Sequence, residues 1–270
     1  MRRAGALLFS VAVLASLGDG AIDAEARTGG RVLATGDSMI QYVDAALEQR
    51  LERRRRVRVA SDAHVSTGLS KPSLLNWPRY AERQVRRYKP RVTVMFIGAN
   101  DGFPMAGRSG RSVPCCGRAW QGEYARRATR MMRTYNRGGD GRVYWLLLPQ
   151  ARGGSFRKVF PAVNAGLRRA ARPFGSRLRL IHLDRVFTPR GRFRSVMRYR
   201  GRLATVRQPD GVHLTQAGAA IAADKVVAAM DRDHALGRRR KVGAVLKRAF
   251  PLPRRSSPAR SRAPSGLASR

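Results

Sequence analysis

The stretch Val32-Leu33-Ala34-Thr35-Gly36-Asp37-Ser38-Met39-Ile40 decides how the rest of the chain is read. A short apolar run ends at Gly36-Asp37-Ser38, and Ile40, Val43, Leu47 and Leu51 then recur at three- and four-residue spacing. That is the pattern of a strand, a tight turn and a helix. Ser38 falls where the helix is predicted to begin, beside unpaired backbone N–H groups and the positive end of a helix dipole. Serine is a preferred helix cap, so the turn alone does not make it a nucleophile.

The alternation continues outward from this stretch. Further strands are predicted at Val57–Ala60, Val92–Ile97, Val143–Leu148 and Leu178–Leu183. Helices are predicted at Met39–Arg54, Pro78–Tyr88 (ended by Lys89-Pro90), Trp120–Tyr135, Phe156–Arg172 and Leu214–Asp231. Residues 61–77 and 102–118 read as long loops, and 184–209 carry no firm element. Strands alternating with helices predict a parallel sheet covered on both faces. With right-handed crossovers this is a three-layer α/β/α sandwich of about five strands.

Composition bounds the partners. The 270 residues include 55 Lys and Arg against 17 Asp and Glu, a formal charge of +38. Only six of the basic residues are Lys. Such a charge favours polyanions without choosing among them. The two cysteines, Cys115 and Cys116, are adjacent. The ring that would join them is strained, so they are not expected to pair, and no ligand spacing for a metal is present.

The ends differ from the middle. Arg2 and Arg3, an uncharged run from Ala4 to Gly18, and Ala24-Glu25-Ala26 have the layout of a cleaved signal peptide over residues 1–26. The expectation is a secreted or periplasmic protein. The folded domain is expected at 27–237. Residues 238–270 carry 11 basic and no acidic residues and read as a disordered basic tail.

The distinctive polar clusters follow predicted strand ends, where open parallel sheets bind ligands. Ser38 follows the first strand, Gly68 lies in the loop after the second, and Asn100 follows the third. Asp210-Gly211-Val212-His213 precedes the last helix. If the strand order is 2-1-3-4-5, Gly68 and Asn100 flank Ser38. The residue types suit acyl transfer. A serine hydroxyl needs a base, which His213 can be, and Asp210 can hold the imidazole tautomer. The Ser38 and Gly68 N–H groups and the Asn100 amide can receive an oxyanion.

Gly36-Asp37-Ser38, Gly68, Gly98-Ala99-Asn100-Asp101 and Asp210-Gly211-Val212-His213 resemble the four sequence blocks of the GDSL/SGNH hydrolases. The resemblance implies a flavodoxin-like sandwich with Ser38 as nucleophile, His213 as base and Asp210 as its partner. It also implies Ser38, Gly68 and Asn100 as oxyanion donors. Ile40 stands where the nucleophile elbow of the larger α/β-hydrolases has glycine, which argues against that fold. Asp37 and Asp101 read as turn or cap residues, and Trp77 as a pocket wall.

The implied function is an exported serine esterase acting on a small acyl group, acetyl above all, of a carbohydrate or cell-wall polymer. An acyltransferase with the same serine chemistry and a non-catalytic, polyanion-binding envelope protein are the alternatives. No metal or organic cofactor is implied. The implied partners are an acylated carbohydrate or other ester substrate and an anionic envelope polymer. No nucleic-acid motif is present, and no specific nucleic-acid partner is expected.

Overall fold

Five parallel strands form the centre of the computed structural model: β1 (Val32–Gly36), β2 (Val59–Ala63), β3 (Val92–Phe96), β6 (Arg142–Leu146) and β7 (Leu178–Ile181), in the order β2-β1-β3-β6-β7. Every residue of β1 and β3 is buried, which accounts for the near-continuous apolar runs. Val32 pairs with Val59 on one side and Val92 on the other, and Gly36 with Ala63 and Phe96. The structure describes residues 31–55 and 57–237, all in one unit. The signal-peptide reading of 1–26 and the tail reading of 238–270 fall outside the described residues.

Among the described residues six α-helices cover the sheet: α1 (Val43–Arg55), α2 (Trp77–Tyr88), α3 (Arg118–Asn136), α4 (Phe156–Ala171), the short α5 (Leu183–Phe187) and α6 (Gln216–Arg232). α1 packs on α6, while α3 packs on both α2 and α4. Apolar side chains on these helix faces and on both sheet surfaces join in one buried core. Arg50 of α1 and Asp224 of α6 form an ion pair, and Tyr199 donates to Asp224 at 2.7 Å. Among the described residues no helix is long and apolar enough to cross a membrane. The three-layer sandwich and the strand order are those expected from the sequence.

Local departures have physical causes. The helix expected from Met39 is a 3-10 turn at Ser38–Ile40, and α1 starts only at Val43. Tyr42 separates them with φ +63°, a conformation that nothing in a tyrosine announces. Residues 102–118 contain a small antiparallel pair, β4 (Met105–Ala106) and β5 (Ser112–Val113). The unassigned region 184–209 holds α5 and a hairpin of β8 (Val196–Tyr199) and β9 (Arg202–Thr205). Cys115 and Cys116, expected unpaired, form a disulfide across a cis peptide bond, which brings their Cα atoms to 3.1 Å. Trp77, expected as a pocket wall, borders a hollow of about 270 Å³ with Leu69 and Arg127, although the residue is almost wholly buried and its Nε1 donates to Thr67 Oγ1 at 3.1 Å.

Candidate active site

The order β2-β1-β3 puts the switch of chain direction at β1, between the loops that follow β2 and β3. Gly36 makes the exit from β1 possible: a Cβ there would lie 1.9 Å from the Phe96 carbonyl oxygen. The chain then turns at once through Asp37 into Ser38.

Asp37 is fully buried. Its Oδ1 accepts from the Met39 N–H at 2.9 Å, capping the 3-10 turn. Its Oδ2 accepts from the Gly98 and Ala99 N–H groups at 2.8 and 3.0 Å. One carboxylate therefore ties the turn of Ser38 to the loop of Asn100. Asp101, 6% exposed, makes the next link. It accepts from the Ser70 N–H at 2.6 Å and from the Tyr124 hydroxyl at 2.8 Å. Gly68 sits against this pair, since a Cβ on it would come within 2.6 Å of Asp101 Oδ1. The cap reading of Asp37 was correct but partial. Both aspartates hold the loops in mutual register, a role with no sequence signal beyond their place beside Ser38 and Asn100.

Burial pushes the Asp37 carboxyl up to about 6, against three backbone N–H groups that pull it down. Burial likewise raises Asp101, with the Ser70 and Tyr124 hydrogen bonds opposing it.

His213 comes from the loop between β9 and α6. Its Nε2 lies 2.8 Å from Ser38 Oγ, and its Nδ1 lies 2.5 Å from Asp210 Oδ2. Asp210 Oδ1 accepts from the Val212 and His213 N–H groups at 2.7 and 3.0 Å, so the acid and the imidazole share one turn. Partial burial works to raise the Asp210 carboxyl, but these hydrogen bonds outweigh it and hold the group below the usual carboxylate range. Facing that anion, Nδ1 carries the proton, and Nε2 is left to accept from the Ser38 hydroxyl.

The turn has a brace that the sequence did not reveal. Arg207 is 1% exposed. Its Nη2 donates to the Gly211 and Val212 carbonyls at 2.9 Å each, and its Nη1 to the Gln150 carbonyl at 3.2 Å. No carboxylate touches it among the described residues. Burial pushes its guanidinium down to about 10, although Asp210 pulls it up.

Ser38 and His213 open onto a cleft of about 230 Å³, walled by Met39, Gln41, Tyr42, Gln208 and Leu214. A larger hollow of about 390 Å³ beside α5 contains the Arg168–Asp184 ion pair and, among the described residues, no serine, cysteine or histidine. Gly68 and Asn100 do not line the small cleft. They stand together in the adjoining loops, where a Cβ at 68 would lie 3.4 Å from the Asn100 carbonyl carbon. Asn100 Nδ2 is buried and donates to nothing among the described residues. A buried N–H without an acceptor costs about 1–3 kcal/mol.

Sequence comparison adds a family. A family model described as a protein of unknown function, DUF459, matches residues 31–229. The chain belongs to that family. The match takes in the whole sheet and the loops of Ser38, Gly68, Asn100 and His213. No curated protein matches the sequence. Similar solved structures include the C-terminal catalytic domain of peptidoglycan O-acetyltransferase A from Streptococcus pneumoniae, 12% identical over 76% of this chain and 95% of that one, TM-score 0.49. A GDSL-like lipase from Bacteroides thetaiotaomicron is 13% identical over 76% of this chain and 90% of that one, TM-score 0.48. A mutant of an acetyl-xylooligosaccharide esterase from Geobacillus Stearmophilus is 12% identical over 78% of this chain and 98% of that one, TM-score 0.47.

Proposed function

We propose that this DUF459 protein is an exported serine esterase that removes a small acyl group, acetyl above all, from a carbohydrate or cell-wall polymer. The observation that carries the reading is the relay Ser38 Oγ, His213 Nε2 and Nδ1, Asp210 Oδ2, with contacts of 2.8 and 2.5 Å. A binding protein has no use for a serine hydroxyl aligned on an imidazole nitrogen.

Ser38 Oγ attacks the acyl carbon while His213 Nε2 takes the hydroxyl proton. Asp210, kept ionised, stabilises the imidazolium that forms. The carbonyl oxygen becomes an oxyanion, and Asn100 Nδ2 is its unpaired donor, with the Ser38 and Gly68 N–H groups alongside. Collapse breaks the ester C–O bond, and His213 returns the proton to the departing sugar oxygen. Water then attacks the acyl-serine, losing its proton to His213, and releases the carboxylic acid and Ser38. Export is part of the proposal and rests on Arg2, Arg3, the uncharged run after them and Ala24-Glu25-Ala26.

The test is labelling with a serine-reactive fluorophosphonate together with turnover of a small chromogenic acetyl ester. Wild type should label and turn over. Ser38→Ala should do neither, His213→Ala should be similarly inactive, and the double variant should lose little more. A folded His213→Ala variant with full activity would sink the relay. Acyl transfer to an added oligosaccharide at the expense of hydrolysis would make the enzyme an acyltransferase. Intact mass of protein recovered outside the cytoplasm tests cleavage near Ala26.

A further inference from the structure

Where α3 and α4 touch, Gly166 lets the helices approach closely, since a Cβ there would lie 3.0 Å from the Tyr124 ring. Beside this contact a groove of about 780 Å³ runs along α3. Arg126, Arg130 and Arg133 line it from α3, Arg169 from α4, and Arg108 from the turn between β4 and β5. No acidic side chain lines it among the described residues. Arg169 Nη1 lies 3.5 Å from where a Gly122 Cβ would be, so its guanidinium rests over the part of the helix that has no side chain.

The charges in the groove are only partly answered. Arg126 shares Glu123 with Arg127, and Arg130 pairs with Glu82. Arg108, Arg133 and Arg169 form no ion pair among the described residues. Arg126, Arg130 and Arg133 follow an i, i+4, i+7 course on one helix face, which spaces them about 6 and about 4.5 Å apart along the axis. A second hollow of about 270 Å³ shares Arg126 and Arg130, adds Arg127, and extends to Leu69. Leu69 is the residue next to Gly68. The row of guanidiniums thus begins at Arg169 and ends at the loop of a proposed oxyanion donor.

We propose that this groove binds a linear polyanion with anionic groups about 5 Å apart, and that it leads the polymer toward the loop of Gly68. Binding in the groove stands on its shape and charge; the link to turnover rests on the esterase reading. The groove is lined by described residues of the unit that ends at Gly237.

The test uses the full chain in three forms: wild type, R130E/R133E/R169E, and R192E/R194E/R202E. The last changes net charge identically at exposed positions outside the groove, so it removes the same diffuse attraction. Fluorescently labelled polyphosphate and polygalacturonate are titrated by anisotropy over a range of salt. The groove variant should bind at least one of them ten-fold or more weakly, with a salt slope shallower by about 2, since each contact to a single strand contributes about 0.7. The control variant should change by less than about three-fold. The probe affected says whether the recognised group is phosphate or carboxylate. If the groove variant unfolds, R133Q/R169Q replaces it, with half the effect expected. Equal losses in groove and control variants, no loss in the groove variant, or no wild-type binding to either probe would each overturn the proposal. Binding needs no turnover, so failure here leaves the Ser38 relay standing, and failure of the relay leaves the groove standing.

Discussion

The Asp37 carboxylate accepts the Gly98 N–H at 2.8 Å, and through that bond the strand end that presents Ser38 fixes the loop that presents Asn100. The two loops come from neighbouring strands and are 61 residues apart in sequence. Their alignment therefore depends on a buried anion rather than on local chain stiffness.

That anion gives the protein a distinct acid profile. Unfolded, an aspartate releases its proton near pH 4; folded, Asp37 does so only at about 6. Between these values the native state holds the extra proton, so stability from this group is full below pH 4 and declines as pH rises to 6. The expected change is about 3 kcal/mol across that window. In Asp37→Asn it should vanish, giving unfolding free energies with a less negative slope between pH 4 and 6 than wild type. Parallel slopes in urea melts of the two proteins would refute the assignment. Turnover should also fall, because the introduced amide would present a donor to the Gly98 or Ala99 N–H.

Asn100→Ala separates function from stability. It removes the unpaired Nδ2, so kcat should drop about 100- to 1,000-fold. The same truncation relieves a buried donor that has no acceptor, so thermal stability should hold or rise slightly. A large loss of stability with modest loss of kcat would make Asn100 a structural residue.

Arg207→Met removes the only side-chain donor, among the described residues, to the Gln150 and Val212 carbonyls, while the Gly211 carbonyl keeps the Arg152 N–H at 3.1 Å. The expected cost is about 2–4 kcal/mol of stability. Because the Gly211 and Val212 carbonyls belong to the turn of Asp210 and His213, kcat should fall ten-fold or more with KM little changed. Arg207→Lys should recover only part of this, since an ammonium cannot reproduce the planar fork. Equal kcat in Arg207→Met and wild type would remove Arg207 as a positioning residue.

Tyr42 walls the cleft, is 47% exposed and holds φ +63°. An exposed ring in a costly backbone state beside Ser38 suits a stacking platform for a sugar in the proposed esterase. Tyr42→Gly should leave stability level or improve it by up to about 1 kcal/mol. It should raise KM several-fold for an acetylated oligosaccharide and leave a small acetyl ester nearly unaffected. An equal rise for both substrates would count against stacking.

The sandwich was legible because β1, β3 and β6 are buried on both faces and so carry unbroken apolar runs. Ser38 stood out because it falls at the end of the first strand, and Asp210 and His213 because their block directly precedes the last helix. Arg207 did not, since one buried arginine is camouflaged among 55 basic residues and only burial sets it apart. The hairpin Val196–Thr205 escaped notice because its strands lie at the surface, with exposed Val196 and Leu203 and several arginines blurring the alternation. Tyr42 escaped because a positive φ outside glycine leaves no compositional trace.

The 175 residues between Ser38 and His213 also set a clock. During synthesis Ser38 leaves the ribosome early, while His213 arrives with the last described helix, which docks on α1 through Asp224 and Arg50. Every shorter nascent chain has a serine without a proton acceptor and is chemically silent. Emergence of Asp210, His213 and that helix is the event that would switch on the proposed hydrolysis, so the nascent chain stays inert until then.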